Sequence, residues 1–159
     1  MDEPRFVTLD AFAVVGVQDD AYKIDAVDPG FHDLWMNRFM AHEPQIRAQS
    51  PDGVYYGVWF GAPGTDISHG RYLAGMAAVE PAIVPEGWVK RIIPAARYAV
   101  FDSTLDLIGE TTGQALDSWL PASGYACDDG KPRLDHMGPD TSGPNSAVSV
   151  WIPVVPRAS

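Results

Sequence analysis

Apolar residues recur along this chain in two rhythms, every second position and every third or fourth, and the switches between them predict its elements. FVTLDAFAVVGVQ, from Phe6 to Gln18, is rich in β-branched and aromatic residues and reads as a strand. Asp28-Pro29-Gly30 then opens a helix, with Asp28 as its cap and Pro29 in its first turn. Within it Phe31, Leu34, Trp35, Phe39 and Met40 fall on one apolar stripe, and Pro44 is expected to stop it or sit close to its end. Ser50-Pro51-Asp52-Gly53 is a turn, Val54 to Gly61 a strand, Ala62-Pro63-Gly64 a break, and Arg71 to Val79 a further strand.

The order then repeats. After a linker from Pro81 to Gly87, Trp88 to Phe101 reads as a strand region interrupted at Pro94. A second helix runs from about Leu105 to Leu120, with Ile108, Thr112, Ala115, Leu116 and Trp119 on one side and Pro121 at its end. Lys131 to Met137 is a short strand, Gly138 to Asn145 a loop, and Ala147 to Val155 a closing strand whose Pro153 and Pro156 suit an edge or an end. Strand–helix–strand–strand, twice, predicts an α+β fold: one antiparallel sheet, two helices on one face, and a cleft where the halves meet. The 159 residues suit one core, so residues 1–159 are expected to form one domain, with repeats at about 6–80 and 88–155.

Charge narrows the partners. With 21 acids against 11 Lys and Arg the net charge is −10, a field that repels phosphate backbones and attracts cations. No basic run or basic helix-turn-helix stands out, so nucleic acid is not an expected partner. The start lacks the basic n-region of a signal peptide, and no apolar stretch approaches the roughly 18 residues of a membrane span. Cys127 is the only cysteine, which excludes an internal disulfide. Together these predict a cytoplasmic protein with no membrane contact.

Several pieces resemble one known family. They are Tyr56-Gly57-Val58, Tyr72-Leu73-Ala74-Gly75, Pro85-Glu86-Gly87-Trp88, and Ile93-Pro94-Ala95 running to Tyr98-Ala99-Val100-Phe101. Trp119-Leu120-Pro121 with Ser123-Gly124-Tyr125, and Trp151-Ile152-Pro153-Val154, continue the pattern. In this order and spacing they resemble the gyrase-inhibitor-like family, which includes effector-binding domains of bacterial transcription activators and multidrug-responsive regulators. The resemblance spans about Phe6 to Val155. It implies a concave antiparallel sheet built from two repeats, holding a hydrophobic, often cationic molecule in the groove between them. Many relatives carry the module fused to a DNA-binding segment; here a stand-alone module is expected. Cation-binding relatives place a glutamate where this chain has Asp135, one methylene shorter, and two further positions often acidic in relatives are Ala77 and Ser149.

The candidate chemistry follows from both readings. Aromatic faces suit flat apolar ligands and attract cations by ~0.5–2 kcal/mol each. The expected wall is Trp35, Tyr56, Tyr72, Phe101 and Trp151, with Asp135 as a charged anchor. Against this stand plainer readings: Trp35 and Trp119 as core residues of their helices, and Asp135 as a solvated edge acid paired with Arg133 or Lys131. His32, His42, His69 and His136 show no metal-ligand spacing, and there is no nucleophile or phosphate-loop motif. Asp135 and His136 would point to opposite faces of a strand, which suits no catalytic pair. No metal, cofactor or catalytic residue is therefore assigned. The expected function is binding of a small hydrophobic, cationic or aromatic molecule. The alternatives are hydrolysis of strained electrophiles, using Asp135 with Tyr56 or Tyr72, and docking to a protein such as gyrase.

Overall fold

The computed structural model describes residues 3–20, 33–60, 71–128 and 130–157. The helix opening at Asp28-Pro29-Gly30 with Phe31 and His32, the break at Ala62-Pro63-Gly64, His69 and Asp129 lie outside the described residues.

The first predicted strand is two: β1 (Arg5–Leu9) and β2 (Phe12–Asp20), separated by Asp10 and Ala11. Then come the helical segments α1 (Asp33–Phe39), wound at the wider π pitch, and α2 (Glu43–Arg47). Pro44, expected to stop the first helix or sit close to its end, lies just past the end of α1 and falls in the first turn of α2, where its missing N–H leaves no bond unmade. β3 (Tyr55–Phe60) and β4 (Arg71–Ala78) follow. The strand region broken at Pro94 is likewise two strands, β5 (Val89–Ile93) and β6 (Ala96–Thr104). A 3-10 turn leads into α3 (Ile108–Gln114), which continues through a π-wound stretch to a last turn, Leu120–Ala122, that contains Pro121. β7 (Tyr125–Cys127), which the pattern did not announce, precedes β8 (Arg133–Met137) and β9 (Ala147–Pro156).

Among the described residues all pairings are antiparallel, in the order β1-β6-β9-β8-β3-β4-β2-β5, with β7 pairing the end of β9. Exchanging the two repeats leaves this order unchanged, so a pseudo-twofold passes between β3 and β8. Each repeat sends its first strand across, β1 onto β6 and β5 onto β2.

These crossings curl the sheet. β1 and β2 stand six places apart yet are joined by two residues, as are β5 and β6 through Pro94 and Ala95. Six strand spacings are about 29 Å when flat, whereas three Cα steps reach about 11 Å. The inside of the curl is packed with Val14, Val58, Leu73, Ile93, Tyr98 and Leu134, each fully buried, and Val7, Leu9 and Val89 from the outermost strands join them.

Both helical runs lie on the opposite face. Phe101, Val150, Asp135, Gly57, Ala74 and Val17 are successive register partners across the sheet and so point the same way. Leu34 of α1 packs on Val17 and Ala74, and Ala115 packs on Phe101 and Val150. The α+β architecture with helices on one face, predicted from element order, is the observed one. Among the described residues no helix is long and apolar enough to cross a membrane.

Candidate functional site

The two helical runs leave the middle of their face between them. α1 leans on β2 and β4, and α3 on β6 and β9. β3 and β8 run between. Alternation turns Tyr55, Gly57 and Trp59 of β3, and Arg133, Asp135 and Met137 of β8, toward the helix side. Gly57 sits directly across from Asp135.

Asp135 is the chemical centre of this strip. It is 3% exposed. Trp59 Nε1 donates to its Oδ2 at 2.9 Å, while Oδ1 is buried with no hydrogen-bond partner among the described residues. Burial pushes this carboxyl above the ordinary aspartate range, opposed by the Arg133 charge and the Trp59 hydrogen bond. A buried acceptor left without a donor is costly, and such groups concentrate where a ligand supplies what is missing.

Aromatic side chains surround it. The Tyr72 ring meets Trp59 edge-on, centroids 4.5 Å apart, and its hydroxyl accepts from Trp35 Nε1 at 3.0 Å. A Cβ at residue 57 would stand 2.3 Å from the Tyr72 hydroxyl oxygen, so the absence of a side chain there lets Tyr72 reach across the centre of the sheet. Burial, and next the Asp135 charge, hold the Tyr72 hydroxyl well above its ordinary range. The Arg133 guanidinium lies over the Trp59 ring, 4.9 Å from its centroid. At the far end Tyr55 packs against Trp35 and Phe39, and its hydroxyl joins Arg47 and Glu43.

The structure brings together three of the six residues singled out from sequence: Trp35, Tyr72 and Asp135. Phe101 faces the helix side but packs edge-on against Trp119, borders an open depression of about 560 Å³ with Glu3, Arg5, Asp102, Thr111 and Gln114, and stands apart from Asp135. Tyr56 and Trp151 turn to the inner face, where His136 stands edge-on to Tyr56 and stacks on Trp151 at 5.2 Å. The expected five-membered aromatic wall is thus divided between two faces. Trp59, Gly57 and Arg133 join the site in its place. Arg133 was legible, because residues two apart on a strand share a face. Gly57 and Trp59 needed the β3–β8 register, which no local pattern supplies. No group of three His, Cys, Asp or Glu able to hold a metal occurs among the described residues.

A family model described as integron-associated effector binding protein, Cass2, matches residues 5–154. The chain belongs to this family. The match agrees with the gyrase-inhibitor-like resemblance in the sequence and supports small-molecule binding at a general level. The transcriptional regulator BrlR of Pseudomonas aeruginosa is 33% identical over 159 residues, 94% of this chain and 54% of the regulator. The chain therefore spans about half of that protein's length. Among solved structures, SAV2435 bound to tetraphenylphosphonium superposes with a TM-score of 0.71 at 12% identity, covering 97% of this chain and 94% of that one. The integron cassette protein VCH_CASS2 from the mobile metagenome of Vibrio cholerae superposes with a TM-score of 0.62 at 15% identity, covering 96% of each. At such identities the structural likeness speaks for the fold.

Proposed function

We propose that the chain binds a hydrophobic, cationic small molecule between its helical runs, over β3 and β8, with Asp135 facing the ligand's charge. The observation that carries this reading is the buried Asp135 carboxylate, one oxygen held by Trp59 and the other without a partner among the described residues. A cation arriving there regains the solvation that burial removed. Trp35, Trp59 and Tyr72 supply flat apolar faces beside it. Two further things support it: the net charge of −10 favours cations, and a relative in fold, SAV2435, was solved with the bulky apolar cation tetraphenylphosphonium. Tyr56, Trp151 and Phe101 hold the framework from their own clusters.

Calorimetry with tetraphenylphosphonium tests this on the wild-type chain and on Asp135→Asn, which keeps the shape and removes the charge. Affinity is expected to fall by roughly 1–3 kcal/mol, the worth of a desolvated charge contact. The neutral triphenylphosphine oxide should change by a few tenths at most. Equal, small losses for both would remove Asp135 from the site and leave an aromatic cleft.

A further inference from the structure

Trp59 is used twice. Its indole N–H holds Asp135 Oδ2, and its ring lies under the Arg133 guanidinium. Arg133 and Asp135 are two apart on β8, hence on one face and about 7 Å apart along the strand. The strip therefore holds a cation of its own, on the aromatic surface that borders the buried carboxylate. Among aromatic faces an indole attracts cations best, and a guanidinium is the side-chain cation most often found on one.

From this we infer that Arg133 is a specificity-determining residue: an internal cation that occupies the Trp59 face and sets how strongly the site discriminates ligand charge. The inference rests on the binding reading above. A cationic ligand approaching Asp135 meets a like charge that already has the best platform, so it binds only by displacing Arg133 or by stacking on Trp35 and Tyr72 instead. A ligand of the same outline carrying a negative charge meets an attraction at Arg133 and a repulsion at Asp135. The two residues set opposite terms, and the site is tuned between them. The charge of Arg133 also lowers the cost of ionising Asp135, in keeping with their proximity.

Tetraphenylphosphonium and tetraphenylborate share a shape and differ in the sign of charge, so their affinity ratio cancels packing effects. Arg133→Met keeps much of the stem and removes the charge. It is expected to tighten tetraphenylphosphonium by about tenfold and to weaken tetraphenylborate, as loss of a like charge at short range in a poorly solvated site would do. Arg91 stacks on Phe60 of the inner face at 3.9 Å, so Arg91→Met alters net charge equally and should move the ratio by about twofold or less. Arg133→Gln replaces Arg133→Met if the latter fails to melt cooperatively. A ratio that moves no further in the Arg133 variant than in the Arg91 variant overturns the role of Arg133 and leaves the Asp135 reading standing. Absence of tetraphenylphosphonium binding in wild type and variants alike sinks the Asp135 reading, and this inference with it.

Discussion

At the scale of single residues the site is an electrostatic compromise centred on Asp135. A carboxylate at 3% exposure with a single hydrogen-bond donor among the described residues is poorly compensated, and burial raises its pKa. A group whose folded pKa lies above its unfolded value of about 3.9 contributes stability in full below that value. That contribution is lost as pH rises through the raised folded pKa. At neutral pH the ionised form therefore weakens the fold, and Asp135→Asn, a neutral stand-in for the protonated acid, should be the more stable protein. The gain should be of order 1–3 kcal/mol at neutral pH, the cost of an under-satisfied buried charge, and should shrink as pH falls toward the ordinary aspartate range. Urea unfolding of both proteins at neutral pH and near pH 4 reads this difference. A variant weaker than wild type by the same amount at both pH values would mean that the carboxylate is fully compensated in the fold. Stability and binding would then not be opposed at this residue.

At the scale of elements, what decides the fold is where the strands bend and how closely they approach. Val7 and Leu9 face the inside of the curl, and so do Phe12 and Val14, so the alternation slips by one residue across Asp10-Ala11. Val89 and Ile93, then Tyr98 and Val100, show the same slip across Pro94-Ala95. The slip marks the crossing from one half of the sheet to the other, and a pattern reader that follows apolar content merges the two strands into one. The repeats themselves, both helices and the shared helix face were legible, because local periodicity marks the elements and their order implies the face. The pairing of Gly57 with Asp135 was not, since it joins residues far apart in sequence. Hence Tyr56 and Trp151, equally aromatic, could not be told from Trp59 by composition. Close approach is concentrated at Gly16, register partner of Gly75. A Cβ on Gly16 would stand 2.1 Å from the Ala74 carbonyl oxygen and 2.7 Å from Gly75 Cα, both backbone atoms that no rotamer change can move. Gly16→Ala should therefore separate β2 from β4 and cost about 3 kcal/mol or more, the upper end of overpacking penalties. Thermal unfolding by circular dichroism measures it, and a shift of only a degree or two would show that the sheet absorbs the methyl group.

At the scale of the whole molecule, curl and charge act on the same ligand from different distances. Because the β1–β2 and β5–β6 links are short, the inner face closes on its own side chains, and the strip over β3 and β8 lies on the helix face with Asp135 and Gly57 buried in it. Around it the chain carries 21 acids and 11 Lys and Arg. A field of that sign concentrates cations near the surface and opposes a phosphate backbone, whose binding depends on Lys and Arg neutralising phosphates and releasing their counterions to solution. BrlR is a transcriptional regulator, and this chain matches only 54% of it. Fluorescence anisotropy with a labelled duplex at low salt, where electrostatic binding is strongest, is expected to show no association at micromolar chain. The same preparation should still bind tetraphenylphosphonium, and more weakly as ionic strength rises, since part of the attraction is long-range and screened. Tight duplex binding that falls steeply with salt would require a basic surface on this chain. It would move the reading from a ligand-sensing module to one that contacts nucleic acid itself.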